Sequence, residues 1–353
     1  MDVLNSDSHE ILFGSEAYPA LNQLISESQF SKVIVLTDSN TRTSCLPRFE
    51  EYVSQVSPRE VLEFPAGETF KTLHTCLKLW EQLSELGADR KSLLINLGGG
   101  VVTDLGGFVA SAYQRGIAFV NIPTTLLSMV DASVGGKTGV DLGPLKNQIG
   151  LIKNPEMVLI DPGYLRTLDN RQITSGFAEM LKHGLILDKD YWRELSTLNT
   201  LDHLERLIPR SVQLKEGVVR TDPNEKGLRK ILNFGHTLGH AIESHFLTQE
   251  SREPLLHGEA IAAGMIMEAF ISVSQCRMTE AECDEIKAVF LRFFPRVPIT
   301  AEDRASILSL LRYDKKNTHG QVLFALLDAI GKARTDQTVT PELLNASFDY
   351  YKE

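Results

Sequence analysis

Hydrophobic residues in the first half of the chain fall in short continuous runs: Lys32 to Thr37, Glu60 to Phe64, Ser92 to Leu97, Ile117 to Ile122 and Met157 to Ile160. Runs of this length, rich in β-branched and aliphatic side chains and bounded by Gly, Pro, Asp or Ser, predict strands buried on both faces. Between the second and third, Phe70 to Leu86 repeats its apolar positions at helical period and stops against Gly87. Strand, helix, strand in that order predicts a parallel sheet covered by helices, with ligand-binding loops at the carboxyl ends of the strands. Past Tyr164 the period changes. Helical spacing runs through Arg171 to Leu187, Leu201 to Arg220, Ile231 to His245, His257 to Ser274 and Ala281 to Phe294. The predicted fold class is therefore α/β plus all-α. A parallel-sheet domain covers 1–163 and a helical domain 164–353, divided where Pro162-Gly163 punctuates the chain.

With 353 residues the chain is long for one hydrophobic core, which agrees with the division. A formal charge of −10 excludes a general nucleic-acid or anionic-membrane surface, since such partners need a dominant positive field. Anionic small molecules fit only where cations gather locally. Cys45, Cys76, Cys276 and Cys283 have no C-x-x-C spacing, so neither a zinc ribbon nor a redox pair is expected, and reduced thiols point to a cytoplasmic protein. The polar N-terminus lacks a signal-peptide pattern, and no apolar run has the length of a membrane span.

The third predicted strand runs into Gly98-Gly99-Gly100 and then a helical stretch, a turn in which backbone amides can approach a pyrophosphate. Thr103 stands where a dinucleotide fingerprint has its third glycine, so the turn alone is a moderate signal that a tight structural turn would also explain. Polar residues after the other strands strengthen it: Asp38, then Glu68 and Lys71, then Thr124 and Thr125. A dinucleotide lying across the strand ends could touch them all, which favours NAD. A competing motif is DASVGGKTG, Asp131 to Gly139, whose Gly136-Lys137-Thr138 ends like a P-loop. Asp131 replaces its first glycine, and no strand precedes it, so nucleotide triphosphatase is the weaker reading.

In LNFGHTLGHAIES, His236 and His240 stand one helical turn apart on one face. Such a pair is more often structural than metal-binding. A further histidine, His257, opens a helical run, and Glu179 lies within another, so the set could supply the three ligands of a catalytic zinc. HTLGH lacks the glutamate of H-E-x-x-H, and spacing does not decide which histidine is the ligand. Lys146, Asn147, Lys182, Lys215, Arg229 and the pair Lys315-Lys316 recur beside these motifs. Each cation alone reads as a solvated charge; together, in an acidic chain, they predict a pocket for an anionic substrate.

The ordered series PAGETFKT, GGGVVTDLGGFVASAYQRG, IPTTLLSMVDASVGGKTGVD, KNQIG, GFAEMLKHG, DPNEKGLRKILNFGHTLGHAIE, HGEA and DKK resembles the 3-dehydroquinate synthases of the sugar-phosphate cyclase family over nearly the whole chain. The resemblance implies a Rossmann-like first domain, a helical second domain, a homodimer, NAD, and one divalent metal, normally zinc with Co2+ as a substitute. It implies Glu179, His236 and His257 as metal ligands and His240 as a proton-transfer group, with Glu225 as a second. NAD would meet Asp38, Glu68, Lys71, Gly99, Gly100, Asp104, Thr124, Thr125, Lys146, Tyr164 and Thr167. The substrate phosphate would meet Lys137, Asn147, Lys315 in preference to Lys316, and Arg115 from the other subunit. Arg229 and Lys215 would hold a carboxylate, while Asp131, Lys182 and Asn233 would contact hydroxyls or order the site. The implied reaction converts 3-deoxy-D-arabino-heptulosonate 7-phosphate to 3-dehydroquinate and phosphate, a lyase step of the shikimate pathway to aromatic amino acids. Two departures fall on no zinc ligand: Leu151-Ile152-Lys153, where the family usually has an aromatic, and Ser175, where asparagine or glycine is common.

Two rivals share these features. A sister cyclase such as a 2-deoxy-scyllo-inosose synthase acts on a sugar phosphate without a carboxylate and has no use for Arg229. A metal-dependent alcohol dehydrogenase of the same fold consumes NAD stoichiometrically and need not gather Arg115, Lys137 and Lys315.

Overall fold

The computed structural model describes residues 3–5, 9–53, 59–143, 145–249, 252–311 and 322–353. The chain divides into two compact units: one holds Met1–Ile173 and Glu205–Glu216, the other Thr174–Leu204 and Gly217–Glu353. Lys315 and Lys316 lie outside the described residues.

The first unit opens with β1 (Val3–Asn5) and β2 (Glu10–Phe13), then α1 (Tyr18–Glu27) and β3 (Val33–Asp38). Two short helices, α2 (Ser39–Ser44) and α3 (Leu46–Tyr52), lead to β4 (Arg59–Phe64), α4 (Leu73–Glu85), β5 (Leu93–Gly98), α5 (Gly100–Ala112) and β6 (Ala118–Pro123). A hairpin, β7 (Lys137–Leu142) and β8 (Leu145–Ile152), precedes β9 (Met157–Ile160). Seven strands form one sheet in the order β1-β2-β9-β6-β5-β3-β4, parallel except for the β1–β2 pair. All five predicted strands are present within a residue of their expected limits. Their interiors are apolar because helices cover the sheet: Cys76, Leu79 and Leu83 of α4 and Leu105, Phe108 and Val109 of α5 pack on Ile34, Leu36 and Leu94.

The hairpin overturns the P-loop reading. Lys137 starts a strand that pairs antiparallel with Ile152, whereas a P-loop lysine opens a helix. The apolar pattern missed β1, β2, β7 and β8.

After α6 (Asn170–Leu187) and α7 (Lys189–Ser196), α8 (Ile208–Thr221) carries the chain into the rest of the second unit. There α9 (His236–Leu247), α10 (His257–Gln275), α11 (Glu280–Phe293) and α12 (Ala301–Leu310) are followed by β10 (Leu323–Ala329), β11 (Lys332–Thr338) and α13 (Pro341–Lys352). The predicted helices stand, Leu201 to Arg220 as an α-helix only from Ile208 after a 3-10 turn over Leu204–Leu207, with one consequential difference. Ile231 to His245 is not continuous: a 3-10 turn over Leu228–Asn233 ends, and Gly235 at φ 78° redirects the chain before α9 begins at His236. Left-handed backbone costs most residues one to two kcal/mol, roughly, and glycine almost nothing. The antiparallel β10–β11 pair is a second departure, a hairpin inside a unit read as all helix. No helix among the described residues is long and apolar enough to cross a membrane.

Candidate active site

In the first unit, β5 delivers Gly98 at its carboxyl end and α5 begins two residues later, with Gly99 as a cap that has no side chain. The first amides of a helix lack intrahelical acceptors, so this start offers donors and a positive dipole end to an anion. Space is tight: a Cβ on Gly99 would lie 2.9 Å from Thr125 Cγ2. Thr124 ties the next strand end to the turn, its amide donating to Gly98 O at 3.0 Å, and the Thr125 hydroxyl donates to Ser128 Oγ at 3.0 Å. Asp38, at the end of β3, caps α2 by accepting from the Thr41 amide at 2.7 Å.

Beside this turn, charges alternate. Lys71 Nζ is 2.6 Å from Asp104 Oδ2, 2.6 Å from Asn147 Oδ1 and 3.9 Å from Glu68 Oε1, and Glu68 Oε1 also meets Lys146 Nζ at 2.5 Å. Burial alone would lower the Lys71 pKa, but Asp104 and Glu68 outweigh it and hold the ammonium above its ordinary range. Asp141, absent from the sequence-derived set, belongs here too: its carboxylate accepts from the Asn147 amide at 2.7 Å, and its own amide donates to Lys71 O at 2.9 Å. Residues expected at NAD and one expected at the phosphate thus share one network. Lys215 joins the unit through Asp131, its Nζ 2.7 Å from Oδ1.

Four other expected residues of this unit are placed as follows. The Tyr164 side chain is fully buried, its hydroxyl 2.7 Å from that of Tyr18, so it serves the core; Thr167 donates to the Tyr164 carbonyl at 2.7 Å. Lys137 is exposed at the head of β7. Arg115 is exposed on a corner where Gln114 and Arg115 both have positive φ, at the far end of α5 from the glycine turn. A helix of this length spans about 20 Å, so Arg115 does not share the glycine-turn edge of its own sheet.

The second unit brings Glu179, His236 and His257 to one point. Glu179 Oε1 lies 3.4 Å from His236 Nε2 and 3.4 Å from His257 Nε2. Tetrahedral ligands bound to zinc at 2.0–2.2 Å stand about 3.3–3.6 Å apart, so these atoms are spaced for a divalent ion. The outer nitrogens are held as well. His236 Nδ1 donates to Phe234 O at 3.0 Å, and His257 Nδ1 faces Glu243 Oε2 at 3.2 Å. This leaves each Nε2 as the lone-pair face. Without a metal, burial works against protonation of His257, yet Glu243 and Glu179 together push its pKa up to about 10. The second Glu179 oxygen pairs with Lys182, also fully buried. His240 is half-buried beside these two imidazoles, its ring centroid 5.0 Å from that of His236 and 5.9 Å from that of His257.

The convergence depends on helix spacing. A Cβ on Gly264 of α10 would lie 2.1 Å from Gly235 O, and one on Gly258 would lie 2.0 Å from Ser175 O. Ser175, the departure on α6, accepts the Gly258 amide on its hydroxyl at 2.9 Å. Glu268 of α10, fully buried, reaches the start of α9 and accepts from the amides of Gly235 at 2.7 Å and Leu238 at 3.1 Å. It does the capping that Gly235 cannot do, on either side of His236. A lone acid in the apolar run GMIMEAF was the only sequence signal for it. Nearby, the Asp222 carboxylate accepts from the amides of Gly227 at 2.7 Å, Lys226 at 3.0 Å and Arg229 at 3.1 Å, which keeps its pKa below the usual range. That loop presents Glu225, which accepts from Asn233 Nδ2 at 2.7 Å, and the buried Arg229, which donates to Pro223 O at 2.8 Å.

The arrangement offers an anionic group a helix start in one unit, and a divalent ion three converging ligand atoms with the His240 imidazole nearby in the other. Comparison with known proteins shows the family. Residues 61–175 match the family model for the 3-dehydroquinate synthase N-terminal part, and residues 176–317 match that for its C-terminal part. A curated 3-dehydroquinate synthase of Parabacteroides distasonis is 40% identical over 339 residues, covering 94% of this chain and 95% of that protein. Among solved structures, a 2-deoxy-scyllo-inosose synthase complexed with carbaglucose-6-phosphate, NAD+ and Co2+ superposes with a TM-score of 0.85 at 27% identity over 99% of both chains. A 2-epi-5-epi-valiolone synthase of Streptomyces hygroscopicus with NAD+ and Zn2+ bound gives 0.83 at 26% identity over 100% of this chain and 99% of that one. Matched in order by both halves of the family and two-fifths identical to a curated relative along nearly its full length, the chain belongs to the 3-dehydroquinate synthase family.

Proposed function

We propose that the chain converts 3-deoxy-D-arabino-heptulosonate 7-phosphate to 3-dehydroquinate and inorganic phosphate, using NAD catalytically and one divalent ion, zinc or Co2+, held by Glu179, His236 and His257. The observation that carries the metal assignment is the placement of Glu179 Oε1 3.4 Å from both Nε2 atoms, with each ring fixed from behind. When bound, the ion supplies Lewis-acid polarisation of substrate oxygens, and the nicotinamide supplies acceptance and return of a hydride.

The chain's own groups then bind and orient. In the first unit the glycine turn and the start of α5 receive the pyrophosphate, with Asp38, Glu68, Lys71, Asp104, Thr124, Thr125, Lys146 and the backbone of the Tyr164–Thr167 turn around the dinucleotide. Lys137 and Asn147 take the substrate phosphate, lysine as a point charge and asparagine as a neutral donor. Lys215 takes the carboxylate, and Asp131 a hydroxyl. In the second unit, Arg229 offers a planar fork to the carboxylate, Lys182 and Asn233 meet hydroxyls, and His240, with Glu225, moves protons. Arg115 is offered to a second copy of the chain in a homodimer, in keeping with its exposed corner.

This division asks for many positioning cations and no strong protein base, because a departing phosphate can take up a proton on its own oxygens. Arg229 distinguishes a sugar acid from the carboxylate-free substrate of a sister cyclase. The test is incubation of the purified chain with the heptulosonate phosphate, substoichiometric NAD and zinc, following phosphate. Phosphate release in excess of NAD with no NADH accumulation is expected. Stoichiometric NADH would favour a dehydrogenase, and inertness toward this sugar alone would favour a sister cyclase.

A further inference from the structure

His257 faces two carboxylates with its two ring nitrogens. Nε2 points to Glu179 Oε1 at 3.4 Å, and Nδ1 to Glu243 Oε2 at 3.2 Å. Glu243 sits on α9 two turns after His236, with its side chain 8% exposed. It has two readings. With His240 and His257 it forms a second group of ligand atoms close enough to hold a cation, so it could itself be a ligand. Alternatively it is the acceptor that fixes the tautomer and tilt of His257. One imidazole cannot give Nδ1 both as a lone pair to a metal and as a proton to a carboxylate.

The geometry of the partner histidine decides between them. His236 donates its Nδ1 proton to a backbone carbonyl at 3.0 Å and turns Nε2 toward the same Glu179 oxygen. The two rings thus present the same nitrogen, and Glu243 stands for His257 where Phe234 O stands for His236. An anionic acceptor also makes the imidazole a better donor to a metal than a neutral carbonyl does. We infer that Glu243 is a positioning residue of the metal centre: it holds the Nδ1 proton of His257 so that Nε2 faces the ion, and is not itself a ligand. The inference rests on the assignment of Glu179, His236 and His257 as the metal ligands.

The test is Co2+ titration of the metal-free full-length chain, followed by visible absorption, for the wild type, Glu243→Ala, Glu243→Gln and His236→Ala, with circular dichroism to show that each is folded. Glu243→Ala is expected to weaken Co2+ binding about 10- to 100-fold, the usual effect of losing an outer partner of a ligating histidine. Its absorption bands at saturation should match the wild type, because the ligand set is unchanged. Glu243→Gln, which keeps a carbonyl acceptor, should recover most of the affinity. Wild-type affinity in Glu243→Ala overturns the positioning role. Shifted bands at saturation in either Glu243 variant overturn it in favour of direct ligation. Undiminished binding by His236→Ala removes the ligand assignment itself, and this inference with it, and so is distinguishable from both.

Discussion

Replacing Gly264 by alanine tests whether helix spacing, and not helix propensity, governs the proposed metal centre. In an unconstrained helix the change would stabilise by about 1 kcal/mol. At Gly264 the new Cβ would lie 2.1 Å from Gly235 O, 2.7 Å from Gly239 N and 3.0 Å from Gly239 Cα, all backbone atoms of the facing segment that cannot rotate away. Relief requires α9 and α10 to separate by about 1 Å, the kind of overpacking that costs roughly 1–3 kcal/mol. Gly217 on α8 is the internal control, since a Cβ there meets nothing within 4 Å. Gly217→Ala should stabilise by roughly 0.5–1 kcal/mol. The two variants should therefore differ by about 1.5–4 kcal/mol, which in compact units of this size is roughly 3–16 °C in Tm, measured with a chelator present. The separation also moves the segment carrying His236 away from Glu179, so Co2+ affinity should fall in Gly264→Ala alone. Equal Tm values for the two variants, with unchanged Co2+ binding, would refute the reasoning.

Two further outcomes follow from the site and its surroundings. His257→Ala should lose bound zinc on dialysis, whereas His240→Ala should retain it and lose turnover, with metal content by atomic spectroscopy as the check; zinc lost only from the His240 variant would reverse the two roles. Asp303 at the head of α12 is 5% exposed; burial would raise its pKa, but His245 at 2.8 Å, the Thr300 amide and hydroxyl, and Arg252 at 3.0 Å hold it well below the ordinary carboxylate range. As pH falls, the unfolded chain takes up this proton first, near the ordinary value of about 3.9, so the stabilisation is complete above that value and disappears as pH drops toward the depressed folded one. Tm of Asp303→Asn should lie below the wild type at pH 7, with the gap closing below about pH 4; a gap constant from pH 7 to pH 3 would contradict this.

The central strands of the first unit were legible because burial on both faces leaves them mostly apolar, with Asn96 and Asn121 as buried exceptions that hydrogen-bond to each other, and Met157–Ile160 is bounded as the pattern predicts. The hairpins were not. Lys137–Leu142 and Leu145–Ile152 mix polar and apolar residues because one side meets α5 and the other stays open, and the GGKTG spelling drew attention to phosphate chemistry instead. On the proposed metal ligands, helical spacing put His236 and His240 on one face and left the choice among the three histidines open, while the family resemblance chose His236 and His257.

By itself the sequence determined what depends on local repetition and on residue type: the periods of strand and helix, the glycine turn, the acidic balance that excludes polyanions, and the supply of imidazole, carboxylate and ammonium groups. Tertiary structure decided which of those groups meet. Glu179, His236 and His257 are far apart along the chain, and their 3.4 Å spacings exist because Gly258 and Gly264 allow three helix backbones to approach more closely than any side chain would permit. Periodicity tells which face of a helix is apolar, but not which other helix it will touch or at what distance, because that is fixed by packing between residues distant in sequence.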